Sequence, residues 1–239
     1  MPHGSSFLRR YAAATLDLFV PRLCPCCNRT LSAGETLLCA RCLLLLPYTH
    51  ISDVYDNVVA RLFWGRLPVE AAYSHVYYSR ESLSFPLLMK LKYGHLCHIG
   101  EVMGEAMAVQ LLSKGFFQGV DGVVPTPLHW RRWWQRGYNQ SAMLARGVSR
   151  VTGIPMMSGL VRRHRFTGTQ THRDSADRQK NVEAAFRSRK TEAKHLLLVD
   201  DVLTTGSTLL SLATAILKEN PDVRFSILTL AVARTSLPY

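Results

Sequence analysis

The fold of this chain is decided by one stretch near its C-terminus, Leu196-Leu197-Leu198-Val199-Asp200-Asp201-Val202-Leu203-Thr204-Thr205-Gly206-Ser207-Thr208. The stretch begins with an unbroken apolar run, which is typical of a strand buried on both faces of a parallel sheet. Two acids follow, and a turn of small hydroxyl residues then leads into an apolar helix. Because ligands of open α/β sheets bind beyond the carboxyl ends of the strands, this junction is the first candidate site.

The turn that follows the strand has the composition of a phosphate-binding turn. Free backbone N–H groups and the positive end of the helix dipole favour an anion at a helix N-terminus. Gly206 allows the backbone to approach a ligand without a clash from a Cβ atom. The chain has no Gly-x4-Gly-Lys-Ser/Thr sequence, so this turn is not a Walker A loop. We predict a monophosphate site formed by Thr204, Thr205, Gly206, Ser207 and Thr208.

The adjacent acids Asp200 and Asp201 would repel a phosphate unless they bound another part of the same ligand. Their carboxylates can accept hydrogen bonds from the 2′ and 3′ hydroxyls of a ribose and can help to hold a hydrated Mg²⁺. A ribose that carries a 5-phosphate therefore satisfies both halves of the segment. The alternative is that the two acids only cap the turn that follows the strand.

The rest of the chain alternates between strand and helix patterns from residue 119 onward. Short apolar runs indicate buried strands, and apolar residues three and four apart indicate helices. This succession predicts a parallel sheet covered by helices. The predicted strands are 69–78, 122–124, 154–161, 195–199 and 225–233, and the predicted helices are 85–93, 99–114, 140–152 and 207–218.

Four cysteines near the N-terminus have the spacing of two metal-binding knuckles, Cys24 with Cys27 and Cys39 with Cys42. Each pair can turn both thiolates toward one tetrahedral Zn²⁺, which would replace the core that so short a segment cannot build. Cys26 is interpreted as a bystander, although it could replace Cys27 as a ligand. The alternatives are a metal-free set of thiols or a redox pair.

A second group of possible metal ligands is weaker. Cys97 stands between His95 and His98, and a loop between two helices is the favoured interpretation of this segment.

No apolar run is long enough for a membrane helix. Residues 7–23 mix charged and apolar residues, which predicts an amphipathic helix rather than a signal peptide. Cysteines grouped as a metal site favour a reducing compartment, so the predicted location is the cytoplasm.

The formal net charge of the chain is +12, and residues 126–190 hold 14 Lys/Arg and 3 Asp/Glu, a local charge of +11. A basic surface of this kind favours anionic partners, although a solvated face is the alternative. Arginines interleaved with aromatic residues suit a single-stranded nucleic acid, because bases stack on the rings and phosphates pair with guanidinium groups. Tryptophans packed in a hydrophobic contact are an equally good interpretation. The nucleic-acid candidates are Arg131, Arg132, Trp133, Arg136 and Tyr138.

Taken together, the motifs resemble the ComF/GntX family of competence-associated proteins. Residues 196–208 are similar to the signature with which type I phosphoribosyltransferases bind 5-phosphoribosyl 1-pyrophosphate (PRPP). The resemblance runs from about Cys24 to Arg234. Besides the cysteines, the motifs that carry it are Leu91-Lys92-Tyr93, Val124-Pro125-Thr126-Pro127-Leu128-His129, Arg136-Gly137-Tyr138-Asn139-Gln140, Arg163-x-Arg165-x-Thr167-x-x-Gln170, Arg178-x-x-Asn181-Val182 and Ala185-Phe186.

The resemblance implies a type I phosphoribosyltransferase-like parallel sheet with helices on both faces, plus a small N-terminal zinc-binding module. The implied division is an N-terminal helix and zinc module at 1–48, a connecting or hood region at 49–118 and the phosphoribosyltransferase-like domain at 119–239. The implied ligand is PRPP with Mg²⁺, its ribose hydroxyls on the paired acids and its 5-phosphate on the turn.

The resemblance also implies two loops around the ligand. Pro125, Thr126 and Pro127 are similar to a pyrophosphate loop, in which exposed backbone N–H groups are common. Residues 162–181 are similar to a flexible lid, and the alternative is a solvated surface loop. Arginines of this lid would neutralise the charge of pyrophosphate and are the catalytic candidates. They are Arg163, Arg165 and Arg178.

Two functions are compatible with these expectations. The first is an enzyme that transfers phosphoribose from PRPP to a nitrogen nucleophile, although the signature contains no strong general base. The second is a binding module that uses PRPP or a nucleotide as a regulatory ligand while it binds single-stranded DNA and a partner such as a DNA-uptake helicase. Either function would serve DNA uptake and natural transformation or nucleotide-linked metabolism.

Overall fold

The computed structural model describes residues 21–94, 96–164 and 185–234. The predicted amphipathic helix lies outside the described residues except for its last three positions. His95 and most of the predicted lid, including Arg165 and Arg178, also lie outside them.

The centre of the molecule is a sheet of four parallel strands, and a separate antiparallel pair lies beside it. The central sheet has the strand order β1-β6-β5-β2, and the pair is β3 with β4. The strands are β1 (Val69–Tyr78), β2 (Gly122–Pro125), β3 (Val161–Arg163), β4 (Phe186–Ser188), β5 (His195–Leu203) and β6 (Arg224–Ala233).

Helices cover this sheet on both faces. Successive side chains of a strand point to opposite faces, and Leu196 to Val199 of β5 are all fully buried, as are most residues of β6. The predicted α/β class with a parallel sheet is therefore confirmed. The helices are α1 (Ala40–Leu45), α2 (Val58–Arg61), α3 (Ser84–Tyr93), α4 (Cys97–Leu112), α5 (Trp130–Arg136), α6 (Gln140–Thr152) and α7 (Ser207–Glu219).

Helices α4 and α6 pack with their backbones in contact. A Cβ atom on Gly104 would lie 2.2 Å from the carbonyl oxygen of Leu144, and one on Gly147 would lie 2.1 Å from the carbonyl oxygen of Glu101. Only glycine allows so close an approach. Ion pairs from Glu101 to Arg146 and Arg150, at 2.9 and 3.0 Å, flank this contact. The packing fixes α6, whose N-terminus reaches the candidate site.

One predicted strand is wrong. Residues 154–161 form only a single parallel bridge, between Met156 and Val123, and β3 begins at Val161. Val123 donates to the carbonyl of Pro155 and accepts from Met157, but Pro155 has no N–H to continue the ladder. Arg162 and Arg163, which were predicted to begin the lid at 162–181, belong to β3.

The strand that carries the paired acids is longer than predicted. It runs to Leu203 instead of ending at Val199, because β6 continues to pair with it up to Val232. Asp200 and Asp201 therefore lie inside a strand, and the turn begins only after Leu203.

The predicted connecting region contributes directly to the central sheet, because β1 pairs with β6 along eight positions. The boundaries at 48/49 and 118/119 stay a prediction. Within the described ranges, no helix combines the length and apolar character that a membrane span requires.

Candidate functional site

The candidate site lies at the carboxyl edge of the sheet, where β2 ends earlier than β5. Pro125, the last residue of β2, is in register with Val199. From Asp200 onward, β5 therefore faces a loop on that side instead of a strand. This step in the sheet edge exposes the junction between β5 and α7 to the loops that follow β2.

The carboxyl group of Asp200 is buried at this step. The residue is 8 % exposed, and its Oδ1 accepts hydrogen bonds from the Ser141 hydroxyl and the Asp201 N–H, both at 2.9 Å. Burial, together with the neighbouring Asp201 carboxylate, raises the pKa of Asp200 to about 7. Asp200 thus exchanges its proton near neutral pH.

Asp201 is paired with a cation from a distant part of the chain. Its Oδ2 lies 3.3 Å from Nζ of Lys92, and both side chains are partly accessible. Lys92 is at the end of α3 and also lowers the pKa of Asp200, against the larger effect of burial. The cation reduces the repulsion that two adjacent carboxylates would exert on a phosphate.

The turn after β5 leaves the N-terminus of α7 open. Its first N–H groups have no partner within the helix, and the N-cap residue Gly206 has no side chain to cap them. The neighbouring helices α5 and α6, in contrast, are capped by His129 and Asn139. Thr204, Thr205 and Ser207 are exposed, so their hydroxyls are accessible beside these N–H groups.

Gly206 is required by the conformation of this turn. Its φ angle is +74°, in the left-handed region that glycine tolerates best. A Cβ atom here would also lie 3.1 Å from the ring of Phe63, which packs beneath the turn. Phe63 therefore supports the predicted phosphate turn from the region that precedes β1.

The loop after β2 offers fewer donors than predicted. Pro125 and Pro127 have no N–H, and the Thr126 N–H donates to the Val199 carbonyl at 2.9 Å. These three residues therefore present no free backbone N–H to a pyrophosphate. Within the described residues, Thr126 Oγ1 is buried without a hydrogen-bond partner, and the Thr126 carbonyl accepts from Asn139.

A groove of about 380 Å³ lies beside this loop. Arg163 of β3 forms part of its wall, with its guanidinium carbon 5.3 Å from the centre of the Phe186 ring. Burial and the neighbouring Arg132 lower the pKa of Arg163. Asp200 acts in the opposite direction and raises it. This arginine is the one lid candidate within the described residues, and it lies in the electrostatic field of Asp200. The lining residues are Pro125, Pro127, Leu128, Trp130, Trp133, Asn139, Ala142, Ser158, Val161, Arg162 and Arg163.

The four predicted metal ligands come together in the N-terminal module. The sulfur atoms of Cys24, Cys27, Cys39 and Cys42 lie within 4.8 Å of one another. Sulfurs bound to one zinc at ~2.3 Å are ~3.8 Å apart, so small adjustments fit the set to a tetrahedral ion. Cys26 is outside the set, and burial raises the pKa of its thiol to about 12. Over the described ranges, this is the one group of clustered metal-type ligands, and neither Cys97 nor His98 belongs to such a group.

Comparison with known proteins places the chain in a family. No family model matches the chain. DNA utilization protein YhgH of Escherichia coli K12 is 32 % identical over 201 residues, which cover 82 % of this chain and 84 % of the relative. YhgH of Salmonella typhi is 31 % identical over 82 % of this chain and 78 % of its own length. Competence protein F of Haemophilus influenzae is 39 % identical over 93 residues, 37 % of this chain and 41 % of the relative. The chain belongs to the ComF/GntX family.

The predicted nucleic-acid residues of this ComF/GntX protein separate into two groups. Trp133 is half-exposed on α5, and Arg131 is exposed with its guanidinium carbon 5.3 Å from the centre of the Trp130 ring. Arg136 is buried, and the Tyr138 hydroxyl is turned inward to the Leu91 carbonyl. The structure thus does not bring all five candidates to one surface.

Several features of the candidate site were not predicted from the sequence. Lys92 and Ser141 contact the paired acids from 109 and 59 positions away along the chain. Trp130 and Trp134 extend the exposed aromatic surface of α5 beyond Trp133. Composition alone suggested the aromatic surface, whereas only the fold reveals the long-range contacts.

Proposed function

We propose that this ComF/GntX protein binds PRPP at the junction between β5 and α7. One observation carries the proposal: the open N-terminus of α7 and the acids Asp200 and Asp201 occupy the same step at the carboxyl edge of the sheet. Donors for a phosphate and acceptors for sugar hydroxyls are thus adjacent, as a ribose 5-phosphate requires.

Each part of the site has a proposed role toward this ligand. The N–H groups and hydroxyls of the turn at 204–208 hold the 5-phosphate, and Asp201 accepts hydrogen bonds from the ribose hydroxyls. Asp200, once ionised, adds a second acceptor. Carboxylate oxygens are ligands that Mg²⁺ prefers, so the acids also suit the magnesium that accompanies PRPP and neutralises its charge. Arg163 approaches the pyrophosphate from β3.

Phosphoribosyl transfer is the first candidate activity. The groove lined by Trp130 and Trp133 adjoins the loop after β2 and offers flat aromatic walls to a planar acceptor. The expected turnover would release pyrophosphate when PRPP, Mg²⁺ and a suitable nitrogen base are supplied. A panel of bases assayed for pyrophosphate release tests this activity.

Binding of single-stranded DNA is the second candidate function, favoured by the exposed tryptophans of α5. The names of the relatives, DNA utilization protein and Competence protein F, agree with a role in DNA uptake. Strand binding without turnover, together with a steep dependence of affinity on salt, would identify the protein as a binding module. Its partner would then be a DNA-uptake protein such as a helicase, and its location the cytoplasm.

Isothermal titration calorimetry of the whole chain with PRPP and Mg²⁺ tests the shared core of both functions. We expect saturable binding that is lost in the double variant Asp200→Asn, Asp201→Asn, with the fold preserved by circular dichroism. Wild-type affinity in that variant would refute the ribose assignment.

We also propose that Cys24, Cys27, Cys39 and Cys42 bind a structural zinc. Most of these thiols are buried, and the set leaves no position for a substrate once all four bind the ion. Such an ion would hold the module together and take no part in chemistry at the sheet edge.

A further inference from the structure

Arg136, the last residue of α5, is a buried cation without an acidic partner. It is 9 % exposed, and among the described residues no carboxylate lies within 4.0 Å of its guanidinium. Exposed arginines behave differently, since Arg61, Arg146 and Arg150 each pair with an acid. Because an unpaired buried charge is unfavourable, the environment of Arg136 suits an anion that arrives from outside the chain.

Gln140 adds a second unused donor at the same place. Its Oε1 accepts from Nη1 of Arg136 at 3.0 Å, which turns its amide nitrogen away from the guanidinium. Within the described residues, Gln140 Nε2 and Arg136 Nε are both buried without a hydrogen-bond partner. Both atoms can only donate, so the partner that they lack is an acceptor.

Tyr93 covers this pair on the solvent side. Its ring centre lies 5.1 Å from the guanidinium carbon of Arg136, and its hydroxyl lies 3.5 Å from Nη2. Tyr93 is 58 % exposed, so its ring lies at the surface, and an entering ligand would have to displace it to reach the buried donors. The preceding residue, Lys92, pairs with Asp201, which places the covered pair next to the acids.

The same pair lies at the start of α6, a helix of 13 residues that begins at Gln140. The positive end of this helix points toward the sheet edge, where Asn139 contacts Thr126 and Ser141 contacts Asp200. Gln140 therefore stands between the residue that contacts the loop after β2 and the residue that contacts the paired acids.

We propose that Arg136, Gln140 and Tyr93 form an oxyanion seat for a phosphoryl group. A set of donors and positive charge excludes a metal cation, and a guanidinium fork matches phosphoryl oxygens. The identity of the ligand as PRPP rests on the proposed function, whereas the anion chemistry does not. The phosphoryl group comes either from free pyrophosphate or from PRPP.

Calorimetric titration of the full-length chain with inorganic pyrophosphate, and separately with PRPP and Mg²⁺, tests the seat. We expect Arg136→Gln to weaken pyrophosphate binding by about tenfold or more, because hydrogen bonds to a charged group are lost. The control Arg150→Gln removes the same charge from an exposed position and should leave the affinity within about twofold. Equal affinity of the wild type and Arg136→Gln for both ligands would overturn the seat.

Gln140→Glu keeps the test decisive if Arg136→Gln folds poorly. The new carboxylate would pair with Arg136 internally, so we expect an unchanged or higher melting temperature together with at least about a tenfold loss of pyrophosphate affinity. A purely structural role for the pair predicts unchanged affinity, which would overturn the seat.

The two ligands separate the seat from the proposed function. Binding of pyrophosphate that depends on Arg136, without any binding of PRPP, would support the seat and refute the PRPP assignment. If both variants bind PRPP with the affinity of the wild type, the seat would be refuted and the PRPP assignment would be supported. Failure of both ligands to bind would overturn both.

Discussion

Asp200 holds a carboxyl group whose charge state changes near neutral pH. Its side chain is buried beneath α6, and the ionised form is opposed by desolvation and by Asp201. A ribose hydroxyl and a magnesium ion both prefer the ionised carboxylate. Binding of the proposed ligand would therefore release a proton from this residue, a property that its sequence position does not disclose.

The pH dependence of PRPP binding follows from this coupling. Because the pKa of Asp200 is raised to about 7, the acid is mostly protonated at pH 6 and mostly ionised at pH 8. We expect affinity for PRPP with Mg²⁺ to rise as pH increases to about 7, by at most about tenfold per pH unit, and to level off above it. Calorimetry in buffers of different ionisation enthalpy should detect proton release at pH 6.5.

Asp200→Asn provides the control, since it retains only the titration of the ligand phosphates. An identical pH profile in this variant and the wild type would show that Asp200 does not ionise on binding.

Gly206 has a left-handed φ angle immediately before the open N-terminus of α7. Gly206→Ala should destabilise the chain by ~1–2 kcal/mol through its left-handed φ, and by more because the new methyl group meets Phe63. Gly153→Ala, at a φ of +74° with open space around it, measures the conformational cost alone. Urea denaturation should therefore show a larger loss for Gly206→Ala, and equal losses would exclude the contact with Phe63.

Among the elements, α7 and α5 differ in what their ends and faces present. α7 offers backbone donors at an end without a cap, whereas α5 exposes tryptophans along its length. The first arrangement suits a sugar phosphate and the second suits stacked bases. The sugar phosphate is thus proposed to bind at the end of α7, and the single-stranded DNA along α5.

The aromatic face of α5 can be tested by substitution. We expect Trp130→Ala and Trp133→Ala each to weaken binding of an oligothymidylate by ~1–3 kcal/mol, because a stacked base loses its platform. Trp64→Ala is the matched control, since Trp64 is 47 % exposed and lies outside α5. Fluorescence anisotropy measures these affinities, and a loss as large in Trp64→Ala would argue against a site on α5.

The metal module is tested as an element by its cysteines. Cys39→Ser should lose bound zinc and lower the melting temperature, because the ion replaces a core in so short a segment. Cys26→Ser should retain about one zinc per chain, since its sulfur lies outside the cluster. Elemental analysis of the two purified variants measures their zinc content. Full zinc content in Cys39→Ser would exclude Cys39 as a ligand.

For the whole molecule, the sequence predicted the elements that are set by local residue patterns. It did not predict strand ends or contacts that depend on residues far away along the chain. The bounds of β1 and α6 match the predicted ranges, although the alternation in β1 is weak and only α6 has a clear helical apolar pattern. The end of β5 was misplaced because pairing with β6, rather than local composition, extends it to Leu203. The contact between Lys92 and Asp201 had no local signal, since the fold alone brings α3 to the sheet edge.

The most direct test of a sugar-phosphate site at the junction of β5 and α7 is an NMR titration. Ribose 5-phosphate and Mg²⁺ would be added to the ¹⁵N-labelled full-length chain while backbone amide resonances are followed. We expect the largest shifts at residues 204–209, where the phosphate meets the open helix end, with smaller shifts at Asp200 and Asp201. Unmoved resonances at 204–209 together with saturable shifts on α5 would contradict this location of the site.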